Sequence, residues 1–290
     1  MPLSLQLKNI PNSYLAATDS SRYKSGRLEI LDYTTYESFS YESSNPKPIN
    51  KRAIVYLPYG YTPEKKYPIV YVSHGGWSNE TTIMGTPHSP RPFKFIIDHA
   101  IENHDIVPMI IVNLTYNNTS EQDSSDFNLA IELTERYHNE LINDLIPAVE
   151  STYSMYASST SPEDLKASRK YRAFSGFSMG SVNTWRTFEY ALDYFAYFNP
   201  MSGSISASAH TLARLAHRVN DEFIIYALSG TNDFAYSSFR EQINSLSQLE
   251  PDTFRLEDNL FFRVRQGASH DYAALCDYTY NALGAFWKDI

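Results

Sequence analysis

The stretch Ala173-Phe174-Ser175-Gly176-Phe177-Ser178-Met179-Gly180 decides the interpretation of this 290-residue chain. It reads as a short apolar strand that runs into Gly-x-Ser-x-Gly, and the next residues, 181–190, can form a helix. A serine at such a strand-to-helix turn projects its hydroxyl above the sheet, the two glycines leave room for the neighbouring elements, and the helix N-terminus favours a developing anion. The pattern predicts a nucleophile at Ser178, against the alternative of a chance match.

A serine hydroxyl is a poor nucleophile until a base takes its proton, and chain order selects His270 as that base. In α/β hydrolases the order is serine, then acid, then histidine. Five of the eight histidines precede Ser178 and violate this order. His210 and His217 fall within a helical pattern, where a surface or core histidine is the better interpretation. His270 directly follows the last predicted strand, which ends at Val264.

The acid that orients this histidine is predicted at Asp233. It closes the turn Gly230-Thr231-Asn232-Asp233, immediately after the predicted strand 223–228. The alternative is an ordinary turn or N-cap aspartate, because aspartates are common in such turns. The rival acids lie before a strand or too close to the histidine in sequence: Asp221, Asp258 and Asp271.

Two backbone N–H groups are expected to receive the negative oxygen that develops during acyl transfer. One belongs to Met179, the residue after the nucleophile. The other is assigned to Gly76, with Trp77 and Gly75 as weaker candidates, in the small-residue loop that follows the strand ending at Ser73. A plain tight turn would also explain this glycine pair. We interpret His74 as a residue that braces the loop and does not take part in the chemistry.

The composition excludes several other classes of protein. A net charge of −9 and a pI near 5.4 argue against a nucleic-acid-binding surface. No apolar run is long enough for a membrane span, and no metal or nucleotide motif occurs, so we expect no cofactor and no metal. The single cysteine, Cys276, cannot form an internal disulfide and is expected to pack on the last helix. The first residues lack the pattern of a signal peptide.

Strands alternate with helices along most of the chain, which predicts an α/β fold with a mostly parallel central sheet and helices on both faces. Residues 1–26 are polar, contain prolines and serines, and are expected to form an irregular lead-in. Residues 27–290 are expected to form a single domain. The pattern from Asp126 to Tyr153 is helical, and Pro147 should kink or interrupt that helix. The terminal helix is predicted over Tyr272 to Lys288.

Several segments resemble carbohydrate esterase family 1, the feruloyl esterase and acetyl xylan esterase group of esterase D-like α/β hydrolases: residues 52–61, 67–76, 140–147 and 167–185. The resemblance implies an α/β-hydrolase fold without a large lid domain and an open site for plant cell-wall polysaccharide. The family's serine, acid and histidine map to Ser178, Asp233 and His270. The residues after the histidine, 271–273, lack the tryptophan often found there in relatives.

The expected function is that of a serine carboxylesterase that hydrolyses feruloyl esters on arabinoxylan or its oligosaccharides. Four aromatic residues on loops at the predicted carboxyl edge could flank the acyl group: Trp77, Tyr116, Phe234 and Tyr236. Removal of acetyl groups from xylan is the alternative within the family, and a catalytically silent glycan-binding module is the alternative from another class. We also expect secretion, with a signal peptide not present in this chain, and action beside other plant-cell-wall-degrading modules, with no nucleic-acid or membrane partner.

Overall fold

The strands form one large sheet and one small hairpin. The structure is a computed structural model that describes residues 6–17 and 24–288. The strands in those ranges are β1 (Arg27–Tyr36), β2 (Pro48–Leu57), β3 (Ile69–Ser73), β4 (Gly85–Thr86), β5 (Ser89–Pro90), β6 (Ile110–Leu114), β7 (Arg172–Phe177), β8 (Tyr197–Met201), β9 (Ile224–Gly230) and β10 (Leu260–Arg265). Eight of them pair in the order β1-β2-β6-β3-β7-β8-β9-β10, and β4 pairs with β5.

The sheet is mostly parallel, as the alternation of strands and helices predicted. All pairs from β6 to β10 are parallel, whereas β1–β2 and β2–β6 are antiparallel. The carboxyl ends of β3, β7, β9 and β10 therefore meet at one edge of the sheet. The predicted nucleophile, acid, base and small-residue loop all follow these four strands, so the topology brings them to the same edge.

Helices cover both faces of the sheet. They are α1 (Pro92–Glu102), α2 (Phe127–Arg136), α3 (His138–Glu140), α4 (Ile146–Thr152), α5 (Pro162–Ala167), α6 (Met179–Ala191), α7 (Ala209–Val219), α8 (Tyr236–Leu249) and α9 (Tyr272–Leu283). Helices α1 and α9 pack in one apolar cluster, and α2, α6, α7 and α8 pack in the other. Within β3, Ile69 and Tyr71 face one cluster while Val70 and Val72 face the other, as expected for a strand buried on both sides.

The predicted interruption near Pro147 is present. A π-helical turn over Leu141–Leu145 separates α3 from α4, and Pro147 is the second residue of α4. Proline has no N–H to donate and its ring clashes with the preceding turn, so the regular hydrogen-bond pattern cannot continue through it. A π-turn is one way in which a helix accommodates such a break.

The terminal helix was predicted too long. It ends at Leu283, and Gly284 follows as its C-cap, so the prediction that it continues to Lys288 is wrong. Gly284 itself keeps right-handed helical dihedrals (φ −67°, ψ −13°), and residues 284–288 continue as turns and not as regular helix. The strand predicted over 223–228 is also slightly shifted, since β9 runs from Ile224 to Gly230.

The N-terminal lead-in packs on the domain where it is described. The hydroxyl of Tyr14 donates a hydrogen bond to Asp105 at 2.9 Å, and the backbone N–H of Lys8 donates one to Asn281 at 2.7 Å. Residues 12–14 form a short 3₁₀ turn. Residues 1–5 and 18–23 of the predicted lead-in lie outside the described residues, and the boundary at residue 27 stays a prediction.

Candidate active site

Ser178 sits on a strained turn between β7 and α6. Its backbone dihedrals are φ 61° and ψ −121°, in a region that non-glycine residues rarely adopt and that is frequent at functional sites. A Cβ added to Gly176 would overlap the carbonyl of Gly180, and a Cβ added to Gly180 would overlap the carbonyl of Ser73. The two glycines of the motif are therefore required by close backbone approach, as the sequence predicted.

A second strand supports the same turn. The N–H of Ser178 donates a hydrogen bond to the carbonyl of Met201, at the end of β8, at 2.9 Å. The carbonyl of Gly203 then accepts hydrogen bonds from Ser181 Oγ at 2.7 Å and from the indole N–H of Trp185 at 3.1 Å. A Cβ on Gly203 would overlap the carbonyl of Ser178. Sequence reasoning missed Gly203, because its role depends on a contact between neighbouring strands.

The imidazole of His270 and the carboxylate of Asp233 form a hydrogen-bonded pair. Nδ1 of His270 lies 2.8 Å from both carboxylate oxygens, and the side chain of Asp233 is fully buried. Burial alone would raise the pKa of Asp233, but hydrogen bonds from His270, the N–H of Ala235 and Ser202 outweigh it and hold that pKa below its ordinary value. Asp233 is therefore an anion that fixes the proton of the imidazole on Nδ1, which leaves Nε2 as the basic nitrogen.

Two aromatic rings contact the imidazole of His270. The ring of Phe177, next to Ser178 in the chain, has its centroid 4.5 Å from that of the imidazole, and the ring of Phe234 lies at 4.3 Å. Phe177 is buried, whereas Phe234 is 81% exposed.

Within the described residues, neither Ser178 Oγ nor His270 Nε2 makes a hydrogen bond. Catalytic hydrogen bonds are often long in ligand-free enzymes and shorten when the substrate binds.

Backbone N–H groups of the nucleophile turn and of the small-residue loop are available to bind an anion, and Gly75 stays an alternative donor in that loop because its N–H is likewise unpaired in the described ranges. In the described part of the chain, the N–H groups of Met179 and Gly76 donate to no other residue. The N–H of Trp77 instead donates to the carbonyl of Ser124 at 3.0 Å, which removes Trp77 as a candidate donor. A methyl group built on Gly75 would lie 3.4 Å from Cβ of Ser178, so this loop packs directly against the nucleophile turn.

The four aromatic residues named as substrate contacts have different environments. Trp77 is 76% exposed with φ 53°, and Phe234 is likewise exposed beside His270. Tyr236 is half-buried at the first residue of α8. Tyr116 is only 1% exposed, and its hydroxyl donates a hydrogen bond to the carbonyl of Gly75 at 2.8 Å. We therefore assign Tyr116 to the support of the loop, because a buried ring cannot flank an acyl group at the surface.

His74 braces the loop, as the sequence suggested. Its Nδ1 lies 2.7 Å from the carbonyl oxygen of Gly75, and its Nε2 lies 2.8 Å from Oγ1 of Thr115. Its ring stacks on Tyr116 with the centroids 4.4 Å apart. Burial lowers the pKa of His74 to about 3, so the ring is neutral. Sequence reasoning missed Thr115, since nothing in the chain indicated that β6 brings it beside this loop.

Other kinds of site were sought across the described ranges. Residues 6–17 and 24–288 contain no group of three or more histidine, cysteine, aspartate or glutamate side chains that could hold a metal ion. The same residues contain no helix that is long and apolar enough to cross a membrane. Cys276 is buried on α9, where the sequence placed it, and burial raises the pKa of its thiol to about 12.

The chain is similar to modules of larger xylan-degrading enzymes. It is 34% identical over 99% of its length to endo-1,4-beta-xylanase Y of Acetivibrio thermocellus, and 29% identical over 52% of its length to an endo-1,4-beta-xylanase/feruloyl esterase of Xylanibacter ruminicola. The chain spans about a quarter of the first relative and about a fifth of the second, since the aligned parts cover 25% and 19% of their lengths.

Solved structures with the same fold cover nearly all of the chain. The feruloyl esterase module from Clostridium thermocellum, a serine-to-alanine mutant complexed with sinapinate, is 33% identical, with a TM-score of 0.82 over 99% of this chain and 96% of that one. A CE1 ferulic acid esterase from Anaeromyces mucronatus, complexed with ferulic acid, shares the fold at 20% identity and a TM-score of 0.70, over 98% of each chain.

The match of a family model agrees with these similarities. The Esterase family model matches residues 48–280, which include β2 to β10 and the candidate nucleophile, acid and base. The α/β-hydrolase fold expected from the motifs is thereby confirmed, and so is the resemblance to carbohydrate esterase family 1. The chain belongs to the Esterase family.

Proposed function

We propose that this protein is a serine carboxylesterase that releases ferulate from feruloylated arabinoxylan through an acyl-enzyme. The observation that carries the proposal is the hydrogen-bonded pair of His270 and the buried carboxylate of Asp233, at the same sheet edge as the strained turn of Ser178. The choice of acyl group is supported by the 33% identical feruloyl esterase module, whose ligand, sinapinate, is a hydroxycinnamate.

The proposed reaction uses five groups. Ser178 Oγ attacks the ester carbonyl while Nε2 of His270 takes the hydroxyl proton, and Asp233 stabilises the resulting imidazolium through Nδ1–H. The N–H groups of Met179 and Gly76 hold the negative oxygen of the tetrahedral intermediate. The bond between the acyl carbon and the sugar oxygen then breaks, and His270 gives its proton to that oxygen, which leaves as the sugar hydroxyl. A water molecule repeats the sequence on the acyl-enzyme and frees the acid and the serine.

Exposed aromatic side chains at the site suit an aromatic acyl group. The ring of Phe234 lies against one side of the imidazole of His270 and remains 81% exposed, so it offers a flat apolar surface next to the reacting atoms. Trp77 follows the proposed oxyanion donor Gly76 and is equally accessible. We propose that Phe234 and Trp77 flank the hydroxycinnamoyl group and that Tyr236 contacts the attached sugar, because aromatic faces bind both aromatic rings and sugar rings.

The proposed site is open enough for a polymer. The longest connections at this edge are residues 74–91, which contain the hairpin of β4 and β5, and residues 115–126, while 202–208 and 231–235 are shorter. None of these connections is long enough to form a separate lid domain over the site. An esterase that acts on side chains of a polysaccharide needs this access, since the backbone of the polymer must extend beyond the enzyme on both sides.

An ester panel tests the proposal directly. Wild-type protein should hydrolyse methyl ferulate and release ferulate from wheat arabinoxylan, and Ser178→Ala should reduce both rates by about a thousandfold or more. Acetate release from acetylated xylan measures the alternative. Rapid acetate release together with negligible ferulate release would replace feruloyl esterase by acetyl xylan esterase.

A catalytically silent glycan-binding module is the remaining alternative. A fluorophosphonate probe should label wild-type protein at Ser178 and leave Ser178→Ala unlabelled, because only an activated serine reacts with it. Binding of arabinoxylan without labelling and without ester hydrolysis would favour the silent module.

We further propose that residues 27–290 act as one catalytic domain, outside the cell and beside other plant-cell-wall-degrading modules. The support is that the similar segments belong to much longer xylanases. Ferulate release from insoluble cell walls should rise when an endo-xylanase is added, because cleavage of the backbone exposes further side chains. No increase would contradict this cooperation.

A further inference from the structure

We propose that His74 and Tyr116 are positioning residues that aim the N–H of Gly76 at the oxyanion by holding the carbonyl of Gly75. This inference rests on the proposed function, since it assigns a purpose to two side chains behind the oxyanion loop. It concerns the accuracy of the site, and neither residue is proposed to touch the substrate.

The carbonyl oxygen of Gly75 accepts two hydrogen bonds from side chains. One comes from Nδ1–H of His74 at 2.7 Å and the other from the hydroxyl of Tyr116 at 2.8 Å. A carbonyl oxygen has two lone pairs, so both are used. The peptide that links Gly75 to Gly76 is planar and trans, hence the N–H of Gly76 points opposite to this carbonyl. Two side chains therefore fix the direction of the free N–H group.

The loop is also fixed on its other side. The N–H of Trp77 donates to the carbonyl of Ser124 at 3.0 Å, and the N–H of Ser78 donates to Ser124 Oγ at the same distance. Ser78 Oγ in turn donates to the carbonyl of Gly76 at 2.9 Å. Hydrogen bonds thus anchor both the peptide that contains the N–H of Gly76 and the peptide that follows it. The N–H of Gly76 itself has no partner in the described part of the chain.

The hydrogen-bond partners of His74 determine which of its nitrogens carries the proton. Nε2 lies 2.8 Å from Thr115 Oγ1, and the carbonyl of Thr115 accepts a hydrogen bond from Lys51 Nζ at 2.7 Å. Lys51 is paired with Glu140 at 2.8 Å, and all of these side chains are buried. Because the carbonyl of Gly75 can only accept, the neutral ring must carry its proton on Nδ1 and accept from Thr115 at Nε2. The low pKa of His74 agrees with a ring that stays neutral.

The consequence for catalysis is specific. An oxyanion donor acts on charge that exists in the transition state and hardly at all on the bound ester. Loosening the Gly75 carbonyl should therefore lower kcat and leave KM nearly unchanged. A role confined to folding would instead lower stability without this selective effect on kcat.

Tyr116→Phe is the primary test, because it removes only the hydroxyl and keeps the ring that stacks on His74. Kinetics on 4-nitrophenyl acetate and methyl ferulate should show kcat reduced about tenfold or more, with KM within twofold; complete loss of one oxyanion donor costs about 10²–10³. Affinity for a trifluoromethyl ketone, which forms a tetrahedral adduct, should fall by a similar factor. Tyr280→Phe is the matched control, since its hydroxyl donates to Asp105 away from the site, and it should keep wild-type kcat.

A pair of His74 variants supplies a second measurement. Asn places an N–H near the position of Nδ1 and should retain most of kcat, whereas Leu cannot donate and should lose at least as much as Tyr116→Phe. If His74→Leu does not fold, the kinetics of Tyr116→Phe still test the positioning role. Wild-type kcat and ketone affinity in Tyr116→Phe would overturn the inference. If the wild type hydrolyses 4-nitrophenyl acetate but not methyl ferulate, the proposed substrate is wrong. The comparison of wild type with Tyr116→Phe on 4-nitrophenyl acetate would still test the positioning role.

Discussion

His270 lies with Nδ1 2.8 Å from each carboxylate oxygen of Asp233, and that carboxylate has no solvent-exposed surface. Replacement of Asp233 by Asn should lower kcat on methyl ferulate by about 10³–10⁴, because the amide no longer favours the proton on Nδ1 and cannot stabilise the imidazolium. Asp271→Asn is the matched control. Its side chain caps α9 by accepting from Ala274 N–H, and asparagine caps nearly as well, so activity should change less than threefold. A large loss in Asp271→Asn with little in Asp233→Asn would reverse the assignment of the acid.

Gly203→Ala should lower both activity and stability by displacing the backbone of the nucleophile turn. The new methyl group would overlap the carbonyl of Ser178 and displace the nucleophile turn, so we expect a loss of about 1–3 kcal/mol in the free energy of unfolding and at least a tenfold loss in kcat. Gly60→Ala is the matched control. Gly60 has φ 71°, so alanine there should cost a comparable amount of stability, and the space around it is open, so the new methyl group should displace nothing. Urea unfolding and kinetics on both variants check this, and equal kcat values would contradict it.

Phe234→Ala should change the preference for the acyl group. Without the exposed ring beside His270, kcat/KM for methyl ferulate should fall about tenfold, since a stacked aromatic pair and its buried area contribute on the order of 1 kcal/mol or more. The same ratio for 4-nitrophenyl acetate should fall less. Tyr59 is a control at the opposite edge of the sheet, because β2 runs antiparallel to the central strands, and Tyr59→Ala should leave both ratios unchanged. Equal losses on both esters in Phe234→Ala would argue against an acyl contact.

Stability should fall in mild acid because of His74. Its pKa is about 3 in the folded protein and near 6.5 in an unfolded chain, so the unfolded state binds a proton that the folded state does not. The contribution of His74 is complete above pH 6.5 and is lost as the pH falls towards 3, by about 1.4 kcal/mol per pH unit. Urea unfolding between pH 7 and pH 5 should therefore show a steeper decline for wild type than for His74→Asn. Parallel curves would show that His74 is not buried in its neutral form.

Much of the candidate site could be predicted from the sequence, because its residues follow from chain order and strand ends. Ser178, Asp233 and His270 each follow a strand of the parallel sheet, and parallel strands bring their carboxyl ends together whatever lies between them in sequence. The supporting contacts could not be predicted in this way. Thr115 and Gly203 act through neighbouring strands whose order is not written in local sequence.

The direction of a side chain is a second feature that the sequence could not predict. Tyr116 follows a strand at the correct edge, as a substrate contact would, yet its ring turns inward onto His74. Local sequence places a residue at an edge but does not say which side of the loop it occupies. Similarly, Pro147 predicted a break in the long helical segment but not that the break takes the form of a π-turn over Leu141–Leu145.

The N–H groups of Gly76 and Met179, proposed above as the oxyanion donors, have a stereochemical consequence. Both donors lie on anchored backbone beside a serine whose own dihedral angles are constrained, so an ester carbonyl can present only one of its two faces to Oγ. Attack then creates a tetrahedral centre of a single handedness. A phosphonate inhibitor with a chiral phosphorus atom should consequently react in one enantiomer much faster than in the other, even though the natural product of the reaction, a planar carboxylate, retains no trace of that choice.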